Sequence, residues 1–176
     1  SFDLAFGPSG DLFGAENGPD RDMPEELNWL RPGLHYGFPW RIGGLDNPQQ
    51  FPNYDPGQDR LLDHRYIAFL AGYYRNDPTF PPALVSLAEP IINVGPDADS
   101  FRDPSDGVVK DASSLGRRFS TLTAHRSPLG LTFDTAGAMA PPFQNHGFVL
   151  SWTPDLMPNS DAGASEFGTA SLVVLW

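Results

Sequence analysis

The chain has 176 residues with 22 acidic against 11 basic side chains, a formal charge of −11, and a field of that sign repels phosphate backbones and anionic bilayers. Nucleic acid and membrane are therefore excluded as natural partners, and the 40% hydrophobic and 12% aromatic content excludes a disordered chain. With no Cys there are no disulfides, thiolate metal sites or cysteine nucleophiles, and no apolar run approaches the ~18 residues of a membrane span.

Ser1–Phe6 reads as a strand already under way, and Ser171–Trp176 ends inside an apolar run. A complete domain begins and ends in polar residues, so the expectation is a piece of a longer chain. Leu4 and Phe6 alternate with smaller neighbours, Gly7-Pro8-Ser9-Gly10 supplies a turn, and Asp11–Ala15 resumes the strand pattern. Pro24–Leu30 reads as one or two helical turns with Asp22 as cap. Residues 43–58 are rich in Gly, Pro, Asn and Gln and read as loop. Arg60–Arg75 is the one helix candidate, with Leu61, Leu62, Tyr66, Phe69, Leu70 and Tyr73 on one face; the same residues also suit a strand. Residues 95–120 are again polar and Asp-rich, so 43–120 is expected as a loop-rich insertion. Leu129–Phe133, a turn through Asp134-Thr135-Ala136-Gly137 and a returning run Gly147–Trp152 repeat the opening unit. Aligning Leu4-x-Phe6 on Leu131-x-Phe133 sets Gly10 opposite Gly137, as in repeated antiparallel units.

Chemistry concentrates in Glu16–Asn28, where Glu16, Asp20, Asp22, Glu25 and Glu26 place five carboxylates in eleven residues. Their repulsion would be offset by a bound cation, and hard cations take carboxylate and carbonyl oxygens together. The acid spacing is not that of an EF-hand. Two readings stand, a calcium-binding loop or a solvated acidic loop capping a short helix. Trp29, Tyr36, Phe38 and Trp40 cluster after this loop, with Tyr73 and Tyr74 further on; such aromatics stack on sugar rings or fill a core. His125, beside the second strand unit, either meets a substrate or satisfies loop carbonyls. His35, His64 and His146 have no mutual ligand spacing. Ser127 and Ser151 lack a neighbouring base and orienter, so a hydrolytic triad is unsupported.

Glu16-Asn17-Gly18-Pro19, Glu25-Glu26-Leu27-Asn28 and Pro32-Gly33-Leu34-His35-Tyr36-Gly37-Phe38-Pro39 together resemble the signature of the soluble glucose/sorbosone dehydrogenase family. Phe2–Ala15 and Ala124–Phe133 are similar to two further family stretches. The resemblance implies an all-β fold, two to three blades of a six-bladed antiparallel β-propeller with long loops and one inserted helix, the whole of 1–176 belonging to a single propeller domain. The remaining blades would come from a longer chain or another chain.

It also implies part of a calcium-containing quinoprotein that oxidises aldoses or aldehydes with pyrroloquinoline quinone, in a periplasmic or extracellular setting. By resemblance Gly18 and Pro19 offer carbonyls to the cofactor's calcium, Asn17 faces sugar and quinone, and Glu26 with Tyr36 binds a structural calcium largely through backbone oxygen. His125 is the candidate substrate contact. The family's catalytic His would lie outside this sequence, and its quinone-binding Lys has no counterpart, since Leu150-Ser151-Trp152 occupies that place and Lys110 is the only lysine. Leu34-His35 stands where the family has Gly-Asn, so the turn before Tyr36 needs other dihedrals or carries strain. The alternative function is a non-catalytic, calcium-stabilised propeller module that binds protein or glycan.

Overall fold

A computed structural model describes residues 2–95 and 97–152 together with the backbone of Leu172–Leu175. The opening alternation folds as expected: β1 (Asp3–Phe6) turns at Gly10, which takes φ +84°, and pairs antiparallel with β2 (Leu12–Glu16), Leu4 opposite Gly14 and Phe6 opposite Leu12. The helix expected over 24–30 is absent; Glu26–Leu30 forms β3, which adds to β2 with Glu16 opposite Glu26. Long-range pairing overrides the local cap-and-turn signal, because Leu27 is drawn into the main core and Glu25 bridges to Leu122.

Short ribbons follow: β4 (Arg41–Ile42) with β5 (Leu45–Asp46), then 3-10 turns at Pro48–Gln50 and Pro56–Gln58. The helix expected over 60–75 shrinks to one turn, α1 (Ile67–Leu70). Aspartates explain the shortening: Asp59 and Asp63 accept hydrogen bonds from the backbone N–H groups of Leu61 and Arg65, two residues on, which closes turns in place of the helical ladder. Within 43–120 there are also β6 (Ile92–Asn93), β7 (Ser100–Arg102), β8 (Val109–Asp111) and β9 (Phe119–Ser120), paired β6–β9 and β7–β8.

The second unit closes the fold. β10 (Pro128–Phe133) pairs with β11 (Gly147–Ser151), which pairs with β12 (Leu172–Leu175). The chain is thus strand-rich, with several small antiparallel sheets, none of them closed. The three-stranded sheets β1-β2-β3 and β10-β11-β12 pack face to face: Ala15 and Leu27 meet Leu131 and Val149 in one core, flanked by Ala5, Phe13 and Phe133. Phe13 and Phe133 lie 5.1 Å apart. Every core residue from the first sheet is on the Ala5 face, because period-two alternation sends Leu4, Phe6 and Phe2 the other way, where they stand exposed. The second sheet likewise turns Leu150 outward.

Candidate functional site

Three of the five acids are buried, Glu16 is half-buried and Asp20 exposed, so the charge of this segment is solvated only in part. Asp22, Glu25 and Glu26 are each under 5% exposed, and the segments 21–28 and 119–126, both buried, are joined by the Glu25–Leu122 bridge, by Leu27 N to Thr121 Oγ1 and by Asp22 with His125. Burying three carboxylates is tolerable only if each is satisfied, and each finds a different solution.

Glu25 is held by main chain. Its Oε2 accepts from Gly18 N at 2.7 Å, and Asn17, with its amide oriented to donate, reaches the same oxygen at 2.8 Å. The backbone N–H groups of His125 and Ser127 also bear on this carboxyl. Those two residues take φ +60° and +40°, a strained left-handed backbone for side-chain-bearing residues. It turns N–H groups toward one anion. Burial pushes the Glu25 carboxyl up to about 7, against the pull of these N–H donors and of His125.

Asp22 is held by a histidine and an arginine. One oxygen is 2.7 Å from His125 Nε2, and the other accepts from Arg102 Nε. Tyr66 meets the imidazole edge-on. Glu26 is held by neutral donors, Gly43 N at 2.5 Å and Asn28 Nδ2 at 3.1 Å, and burial raises its pKa. Gly43 has to be glycine: it sits at φ +60°, and a Cβ there would lie 2.3 Å from the Pro24 carbonyl oxygen. Asp59 completes the frame by gripping Arg21 at 2.8 Å and accepting from Tyr54 Oη.

The sequence-derived site residues divide accordingly. Asn17, Gly18 and His125 come together around Glu25 and Asp22, whereas Glu26 and Tyr36 do not share a task. Tyr36 Oη accepts from Arg31 N at 2.6 Å and donates to Trp29 O at 2.7 Å, tying off its own hairpin. In that hairpin the left-handed positions fall on Gly33 and Gly37, so Leu34 and His35 need no unusual dihedrals. Asp22 belongs to the acidic segment of the sequence, but its partners carry no signal: Arg102 and Asp59 stand in unremarkable stretches, and His125 and Asp22 are 103 positions apart.

Pro19 points elsewhere, into a cleft of about 420 Å³. Phe38, Tyr73, Tyr74 and Phe80 wall this cleft, and Asp20, Asn47 and Gln49 line it with polar groups. Arg21 and Met23 form part of the same wall. Trp40 braces the rim by donating from Nε1 to Pro81 O at 2.7 Å. Burial beside Asp20 pushes the Tyr74 phenol up to about 12, so it stays a neutral hydrogen-bonding group. A second cleft of about 300 Å³ opens beyond Asp22, between Arg102, Phe101 and Phe119. His125 lines neither cleft.

The three buried carboxylates and the Pro19 carbonyl already have protein partners. Glu25 and Glu26 spend their oxygens on N–H groups, Asp22 on His125 and Arg102, and the Pro19 carbonyl accepts from Arg21 N at 2.6 Å. Among the described residues no three His, Asp or Glu side chains converge as metal ligands. Among the described residues that line the aromatic cleft the one cation, Arg21, is committed to Asp59. What the cleft offers is flat apolar walls with neutral and acidic hydrogen-bonding groups. No family model, curated protein or solved structure matches the chain.

Proposed function

We propose that the chain forms neighbouring blades of a β-propeller and binds a neutral sugar in the aromatic cleft. The blade reading rests on how the two similar units pack. The Leu131 face of the second sheet is covered by the Ala5 face of the first. In the repeat alignment Leu131 corresponds to Leu4, whose face is bare along β1, where Phe2, Leu4 and Phe6 are exposed, while Gly14 and Asn28 on the same face of β2 and β3 are buried. A head-to-tail contact leaves one unmatched face at each end and is completed by closing a ring. Leu4 and Phe6 would then receive the preceding blade, and Leu150 the following one, from a longer chain or another chain.

The observation that carries the sugar reading is the lining of the cleft: four aromatic rings with Asp20, Asn47 and Gln49 converging between them. Rings stack on the C–H faces of a pyranose while amide and carboxylate groups take its hydroxyls. The acidic balance of the chain disfavours anionic ligands there, and Arg21 is neutralised by Asp59. This is a binding module, and the buried carboxylates serve to hold the Gly18-Pro19 turn that forms one wall.

A second reading, part of a sugar or aldehyde dehydrogenase of the glucose/sorbosone type, is favoured by one observation. Pro19 from the first motif segment and Phe38-Pro39 from the third wall the same cleft. The catalytic His would then lie outside this sequence, with Asn17, Gly18 and Pro19 forming part of the quinone site. Calorimetric titration of the protein with glucose, galactose, xylose and cellobiose tests the binding reading. Saturable heat with at least one of them, lost in Tyr73→Ala and Phe38→Ala, is expected. Silence across the panel at millimolar concentration would overturn it. Dye reduction with sugar and pyrroloquinoline quinone would move the assignment to the dehydrogenase.

A further inference from the structure

The second cleft has a different chemistry from the first. Its walls are Pro24, Leu45, Ile92, Phe101 and Phe119, and three arginines, Arg102, Arg117 and Arg118, line it as well. That is three of the 11 basic residues of a chain with net charge −11, gathered at one opening. The acids that line it are already answered: Asp22 by His125 and Arg102, Glu89 by Arg41.

Two of the arginines are not so answered. The Arg117 guanidinium lies over the Phe101 ring at 4.4 Å. Its nearest carboxylate, Asp103, is 3.9 Å away and already binds Lys110 at 2.8 Å. Arg118 is exposed and forms no ion pair among the described residues. Beneath them Ser120, which also lines the cleft, is 7% exposed, and its hydroxyl has no hydrogen-bond partner among the described residues. A buried hydroxyl left without a partner is costly, and a ligand oxygen or a water it orders would supply the missing bond.

We infer that this cleft binds a small organic carboxylate with an apolar body. The carboxylate sits between Arg117 and Arg118, whose planar donors match its two oxygens. The apolar part lies on the Phe101, Phe119 and Ile92 floor, where a hydrated inorganic anion gains nothing. The volume of about 300 Å³ is at the small end of ligand sites, which limits the body to one or two rings or a short branched chain. This site does not depend on the sugar reading, since no residue is shared between the two clefts.

Benzoate is the probe, with benzamide as its uncharged counterpart and inorganic phosphate as the anion without an apolar body. Titration followed by calorimetry is expected to give saturable benzoate binding and at least about tenfold weaker binding of benzamide, the loss of one charge-assisted contact. Arg118→Gln and Arg117→Gln are each expected to weaken benzoate by a similar factor with the melting temperature unchanged, because both side chains are exposed. Asp20→Asn, in the other cleft, should leave benzoate binding unaltered. Benzoate that fails to saturate at millimolar concentration, or that binds Arg118→Gln as well as the parent protein, overturns the inference. Phosphate binding as tightly as benzoate overturns the assignment of an apolar body.

Discussion

Replacing Glu25 by Gln removes the carboxyl that is 3% exposed and clasped by Gly18, Asn17 and the 125–127 turn, without changing its volume. In the folded protein burial holds this group at about 7 against a reference of 4.5. A carboxyl whose folded pKa is raised binds its proton more tightly when folded. Its contribution is therefore fully present below the unfolded pKa and is lost as pH rises through the folded one. The gap corresponds to about 3 kcal/mol in all, most of which is lost between about pH 5 and about pH 8. At an m-value of about 2 kcal/mol/M the urea midpoint of the parent protein should fall by about 1 M over that range. Glu25→Gln does not titrate, and its midpoint should fall over that range by clearly less than the parent's. The half-buried aspartates with lowered pKa, Asp63 and Asp103, lose their stabilisation in more acid solution, below this window. A parent protein that gains stability from pH 5 to pH 8, or a variant that keeps the full parental change, would refute the assignment of Glu25 as a buried, desolvated acid.

Asp22→Ala leaves His125 and Arg102 facing a buried void and should cost about 3–5 kcal/mol in urea unfolding, whereas Asp20→Asn, on the exposed neighbour, should stay within about 0.5 kcal/mol. Gly43→Ala drives a Cβ to 2.3 Å from the Pro24 carbonyl oxygen and disturbs the Gly43–Glu26 bond, so it should cost about 3 kcal/mol or more. Gly116→Ala, at φ +64° with open space around it, should cost about 1 kcal/mol. Chelation should leave the calorimetric melting temperature unchanged, because the buried carboxylates are occupied by protein donors; a cation at a hundredfold excess over its dissociation constant would instead add about 2.7 kcal/mol, and a fall of several degrees in chelator would show it.

Local pattern carried the two strand pairs. The alternation at Leu4 and Phe6 and at Leu129–Phe133, with glycines at positions 10 and 137, matches β1–β2 and β10–β11 and their turns, where Gly10 and Gly137 both take positive φ. It failed where the partner is distant. Glu26–Leu30 has a helix-like start but becomes a strand because β2 offers a ladder and the second sheet offers a core. The apolar stripe of Arg60–Arg75 was read on periodicity alone, while the Asx turns at Asp59 and Asp63 break it. In the site, the density of acids was visible, but their burial was not. Nothing near Asp22 announces that Arg102 and His125 will reach it, and nothing near Glu25 announces the left-handed turn at His125 and Ser127. The aromatic cluster was visible as composition; that Tyr73, Tyr74 and Phe80 close on Pro19 and Phe38 is a product of the 43–120 region, which carried no recognisable motif.

The central claim is that the cleft beside the Gly18-Pro19 turn takes a neutral sugar, and residue-resolved NMR during a titration with glucose or cellobiose tests it most directly. The predicted result is saturable amide shifts at Asp20, Phe38, Asn47, Gln49 and Tyr73, with Arg117 and Arg118 unmoved. Saturable shifts confined to the arginine cleft, or none at any sugar concentration, would contradict it.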